Sequence, residues 1–224
     1  MSDIKPPSPL RVSPQPSTKV AKSERTRVEI LNSALDFIWS HPFRDMKVGS
    51  LMASTGVSRS AFYQYFNDLH EVMEILMDTV KGELLSATAP WFTDVGDPVA
   101  LLNESLDGLV DVCFNRGPFL RAIDDAAATD SRLEKAWAQL FIDFNDAVTA
   151  RIEADQEQGL IPSFAARPVA IALNHMDAYT LIDAFGRRPR SERESVRVAL
   201  SRIWISSLYG TEWVEKSASN LLRK

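Results

Sequence analysis

Arg59, Tyr63, Gln64 and Tyr65 fall within one short stretch of this 224-residue chain, and together they carry the groups that can read duplex DNA. The Arg59 guanidinium can donate two parallel hydrogen bonds to guanine O6 and N7, a contact worth about 1–3 kcal/mol of discrimination. The hydroxyls of Tyr63 and Tyr65 suit phosphate oxygens, and the Gln64 amide can read adenine or position the backbone. Lys47 and Ser50 upstream suit phosphate, while Ser60 adds a hydroxyl beside Arg59. Ser58 belongs to the same set but is placed first to cap a helix. Each of these side chains would otherwise be an ordinary solvated surface group.

A second constellation lies far along the chain. Asn174 and Asp177 stand three residues apart on an otherwise apolar helical stretch from Pro168 to Phe185, which puts both on one face. Buried polar groups there need partners, whether backbone, one another or a ligand. The aromatic residues Trp137, Phe144 and Trp204 stand at positions that would ordinarily be core.

Catalysis finds no comparable support. His41, His70 and His175 are scattered, with no H-E-x-x-H pair, so no metal ligands are assigned. There is no G-x-S-x-G elbow and no glycine-rich phosphate loop, and hence no catalytic residue or cofactor is assigned. Cys113, the one cysteine, sits among Val110, Val112 and Phe114 and reads as a buried, inert thiol.

The elements that must position the first group are two short helices around a glycine. Val48, Leu51 and Met52 recur at helical spacing, Gly56 supplies a left-handed helix end, and Ser58 begins the next helix. That second helix buries Val57, Ala61 and Phe62 and leaves the polar set exposed, the layout of a helix-turn-helix. A helix from Ser23 carries Val28, Leu31, Leu35 and Ile38 and ends by Pro42. Asp68 with Glu71 forms a capping-box pattern for the helix after the motif. Farther on, Asp97 and Asp130 start two more helices, Gly117-Pro118 breaks the first of these, and the last two long helices span about Pro168 to Phe185 and Ser191 to Gly210. No alternating strand pattern occurs. The expectation is an all-α fold of about nine helices.

Charge divides the chain unevenly. Residues 1–66 carry nine Lys and Arg against five Asp and Glu, whereas the remainder carries sixteen against twenty-five. A basic module that meets phosphate and an acidic remainder with another task are implied. Five prolines before Lys19 and little apolar content make residues 1–22 a disordered, basic tail that can trail along phosphate. Residues 23–67 then form the DNA-binding domain and 68–224 a helical ligand-binding and dimerisation domain. With no apolar run of membrane-spanning length and no secretory leader, the protein is expected in the cytoplasm.

Gly56-Val57-Ser58 followed by Phe62-Tyr63-Gln64-Tyr65-Phe66 resembles the G-V-S…L-Y-x-Y/H-F signature of the tetracycline-repressor (TetR) family of transcriptional regulators. The segments 172–177 and 203–210 resemble the ligand domain of the EthR-type branch of that family, where a mostly apolar tunnel is lined by aromatics and crossed by asparagines. The resemblance makes Asn174 the polar anchor of such a tunnel, puts Asp177 where the branch commonly has a second asparagine, and places Phe114, Trp137, Phe144 and Phe185 at wall positions, with Trp204 in the aromatic stripe. Two positions depart from the family pattern. Leu69 replaces a phosphate-binding lysine, and Ala61 a threonine; both lower the expected affinity for DNA phosphate.

The implied function is a homodimeric repressor, paired through its last two long helices. It would release a palindromic double-stranded operator on binding a small, mostly apolar ligand. The alternative is a small-molecule binding protein of regulator descent that has lost tight DNA binding.

Overall fold

The computed structural model describes residues 19–210, with side chains from Ser23 onward. Among the described residues the chain is all-α: α1 (Lys19–Ile38), α2 (Val48–Thr55), α3 (Arg59–Phe62), α4 (Leu69–Thr93), α5 (Pro98–Ala127), α6 (Ser131–Glu157), α7 (Ala166–Phe185) and α8 (Arg193–Leu208), with a 3-10 turn at Phe43–Asp45. The first helix begins at Lys19, four residues ahead of the expected start, so 19–22 belong to a helix instead of a tail. Residues 1–18 lie outside the described residues.

Eight helices replace nine because α5 runs unbroken through Gly117 and Pro118. A Cβ on Gly117 would stand 2.5 Å from the Phe185 carbonyl oxygen, so the glycine serves a close approach of α5 to the end of α7 and does not end a helix. Pro118 removes one backbone donor from the helix interior. Burial of Val110 and Cys113 before it, and of Phe119, Leu120 and Ile123 after it, outweighs that loss.

The capping signals at Asp68, Asp97 and Asp130 are formed. Asp68 Oδ1 accepts from the Glu71 amide at 2.8 Å, and Glu71 Oε2 reaches back to the Asn67 amide at 2.6 Å. Asp97 accepts from the Val99 amide at the start of α5, and Asp130 from Arg132 and Leu133 at the start of α6. These contacts satisfy donors that helix starts leave open.

The described chain divides into two compact units. One holds the residues up to Val80 together with Pro118–Trp137; the other holds Lys81–Gly117 and the residues from Ala138 onward. The unit carrying the helix-turn-helix therefore extends past residue 67 and takes in the end of α5 and the start of α6. Its interior includes Ile30, Leu31, Ala34, Leu51, Met52 and Phe62, all nearly inaccessible. The second unit is built on Trp91, Leu102, Leu106, Ile152, Leu173 and Trp204. No helix among the described residues is long and apolar enough to cross a membrane.

Candidate functional site

In the first unit, α2 ends at Gly56, whose φ of 69° is left-handed backbone that a β-carbon would disfavour. The Thr55 hydroxyl accepts from the Val57 amide across the turn at 3.2 Å. Ser58 holds the N-cap position of α3 with extended backbone, but it makes no side-chain cap; its hydroxyl lies 3.0 Å from that of Ser60. The expected capping role is thus positional only.

The recognition helix is also shorter than its sequence suggests. After one turn, α3 gives way to tight turns in which the Gln64 amide donates to the Ala61 carbonyl and the Tyr65 amide to that of Phe62. Tyr63, Gln64 and Tyr65 fall beyond α3 and not on it. Phe62, fully buried and 5.5 Å from the Phe66 ring, anchors this segment, and the Arg27 guanidinium lies over Phe66. Lys47, Ser50, Ser58, Arg59, Ser60, Tyr63 and Gln64 are exposed, and Tyr65 is half-buried. Ser50 already donates its hydroxyl to the Lys47 carbonyl at 2.9 Å, so a phosphate contact requires that hydroxyl to turn.

In the second unit the two polar residues of α7 do not pair with each other. Asn174 donates from Nδ2 to Oδ1 of Asn145 on α6 at 2.8 Å. Asp177 accepts from the Trp204 indole N–H, at 2.9 and 3.0 Å to its two oxygens. Burial pushes the Asp177 carboxyl up to about 7, against a smaller opposing effect of the Trp204 hydrogen bond. The same burial, and then the nearby Asp177 charge, pushes the Cys113 thiol well above its ordinary range; this cysteine is buried and free. Trp204 packs edge-on to Trp91, with centroids 5.7 Å apart.

Phe114 and Phe185 form a second aromatic pair, edge to face at 5.2 Å, and the Arg190 guanidinium lies 3.9 Å from the Phe114 centroid. Phe144 is half-buried on α6, one residue before Asn145. Trp137 falls in the first unit and the other six expected ligand residues in the second. Sequence reasoning missed Asn145, although a signal existed: an amide interrupts the apolar series Phe141, Phe144, Val148 and Ile152 on α6. It also missed Arg190, which lies in a loop without periodicity.

A further buried network holds the end of α8. Trp91 Nε1 donates to the Tyr209 hydroxyl at 3.0 Å, and that hydroxyl donates to Asp155 Oδ2 at 2.6 Å. Arg151 pairs with Asp155 at 3.0 Å and donates to the Trp91 carbonyl. Burial first, then the Asp155 carboxylate, pushes the Tyr209 phenol up, so it stays a donor.

Residues 102–210 match the family model for the C-terminal domain of the transcriptional regulator EthR. The HTH-type transcriptional regulator EthR of Mycobacterium tuberculosis is 26% identical over 185 residues, which cover 81% of this chain and 86% of that protein. A TetR-family transcriptional regulator from Syntrophomonas wolfei shares the fold with a TM-score of 0.68 at 15% identity, over 82% of this chain and 94% of the other. SmeT, the repressor of the Stenotrophomonas maltophilia multidrug efflux pump SmeDEF, does so with a TM-score of 0.67 at 15% identity, over 83% and 91%.

Fold, helix-turn-helix and relatives together define a ligand-responsive, DNA-binding transcriptional regulator and not an enzyme. Within that class the C-terminal part of the chain is similar to the EthR C-terminal domain, and the chain shares its fold with TetR-family regulators.

Proposed function

We propose that this regulator is a cytoplasmic homodimer that represses by holding a palindromic operator and releases it when a small, mostly apolar ligand enters the second unit. The observation that carries the DNA half is the exposed set Arg59, Ser60, Tyr63 and Gln64, raised on a turn that buried Phe62 and left-handed Gly56 hold in place. Arg59 reads a guanine edge; Tyr63, Tyr65, Lys47, Ser50 and Ser58 hold phosphate and fix the register. Two copies are needed because the basic excess of one module is small, and the exposed apolar side chains Tyr179 of α7 and Val198 and Ile203 of α8 support pairing through those helices.

The ligand half rests on Phe114, Phe144, Asn174, Asp177, Phe185 and Trp204, aromatic and amide or acid groups gathered in one unit. A ligand there acts only to the extent that it binds the DNA-free state better than the DNA-bound one. A mobility-shift titration against DNA upstream of the chain's own gene tests the reading. Retardation that Arg59→Ala or Tyr63→Phe weakens supports it. No complex at low salt contradicts it and favours the alternative suggested by Leu69 and Ala61, a ligand-binding protein without tight DNA binding.

A further inference from the structure

Among the described residues, the buried charged side chains are ion-paired with one exception. Two carboxylates are buried among the described residues, Asp155 and Asp177. Asp155 has Arg151 at 3.0 Å and the Tyr209 hydroxyl. The buried guanidinium groups follow the same rule, Arg116 with Glu83 and Arg197 with Glu194. Asp177, 5% exposed, has a single indole N–H shared between its two oxygens, and no Lys, Arg or His among the described residues forms an ion pair with it. An ionised carboxylate accepts at about four lone-pair sites, so most of its capacity is unused. An unpaired buried charge is costly, and the cost is relieved by protonation or by a cation.

The surroundings favour a cation with an apolar body. Trp204 presents its N–H to Asp177 and packs edge-on to Trp91, while Leu173 lies one turn earlier on α7. An aromatic ring beside a carboxylate attracts an organic ammonium group more strongly than either does alone. We propose that the effector is a protonated amine with an apolar or aromatic body, its ammonium group hydrogen-bonded to the Asp177 carboxylate beside Trp204. This deepens the reading of the second unit as the effector site and rests on it.

The protonation state of Asp177 supplies an independent readout. Its carboxyl is pushed up to about 7 by burial, so in the free protein it takes up a proton across the neutral range. From α5 the titratable neighbour is Cys113, held neutral there; from α8 the neighbour is the Trp204 indole, which does not titrate. Binding of an ammonium ion, protonated throughout this range, therefore weakens as pH falls below about 7, approaching tenfold per pH unit.

Calorimetric titration of the full chain with phenylbutylamine, phenylbutanol and phenylbutanoate tests the proposal. The amine is expected to bind about tenfold or more tighter than the alcohol, with the acid weakest, and Asp177→Asn to bring amine and alcohol within about threefold of each other. On the wild-type protein the amine alone should lose affinity as pH falls, which keeps the test independent of how well the variant folds. Equal binding of amine and alcohol, a pH-independent amine affinity, binding by none of the three, or an amine preference that survives Asp177→Asn would each overturn it. Amine binding that leaves the operator complex intact would instead count against the effector reading while leaving the Asp177 pairing in place. Operator release by the alcohol without any amine preference would do the reverse.

Discussion

Arg59 and Asp177 show how one side chain can define a task. Arg59 is exposed at the start of a one-turn helix whose next turn is pinned by Phe62. Its replacement by alanine is expected to weaken operator binding about tenfold or more and to relax preference at one base pair, measurable by anisotropy with single-base operator variants. Asp177 affects stability as well as binding. Its folded carboxyl is raised to about 7 from an ordinary 3.8, so between those values the folded state holds a proton that the unfolded chain has lost. Stability contributed by this group is therefore present at low pH and lost as pH rises toward about 7. Asp177→Asn should remove that loss, gaining up to a few kcal/mol relative to wild type between acid and neutral pH, as read from denaturant midpoints.

At the scale of elements, what the sequence disclosed depended on whether a signal was local. The left-handed Gly56, the capping aspartates and the apolar periodicity act within a few residues, and each is formed as read. Gly117-Pro118 looked like a break because the same two residues end helices locally. Here the Phe185 backbone, far along the chain, is what requires the glycine. The partners of Asn174 and Asp177 were likewise invisible, since Asn145 and Trp204 lie 29 and 27 residues away. The length of α3 is not legible in the sequence because side-chain spacing does not distinguish a helix from the tight turns that continue it.

Two substitutions test this level. Gly117→Ala forces a methyl into the Phe185 backbone and should cost about 1–3 kcal/mol in chemical denaturation. Asp155→Ala strands Arg151 and the Tyr209 hydroxyl and should cost about 3–5 kcal/mol, whereas Tyr209→Phe should cost less, about 1–3 kcal/mol. A smaller loss for Asp155→Ala than for Tyr209→Phe would show that the ion pair adds nothing to the hydrogen-bonded network.

For the whole molecule, the basic excess belongs to residues 1–66, which carry the exposed reading turn; the first unit as a whole carries twelve Lys and Arg against thirteen Asp and Glu, and the second unit holds the paired aromatic interior. If two copies pair through α7 and α8, charges at Tyr179 and Ile203, as in Tyr179→Asp with Ile203→Asp, should shift the protein to a monomer in light scattering and lower operator affinity by about a hundredfold or more. The most direct test of the central claim is the salt dependence of binding to its own upstream DNA, compared between wild type and Arg59→Ala. Regulation through two basic modules predicts a steep linear fall of log affinity with log salt, roughly a thousandfold between 50 and 200 mM, with Arg59→Ala lying below wild type throughout. Binding that is flat with salt, or a variant that coincides with wild type, would contradict it.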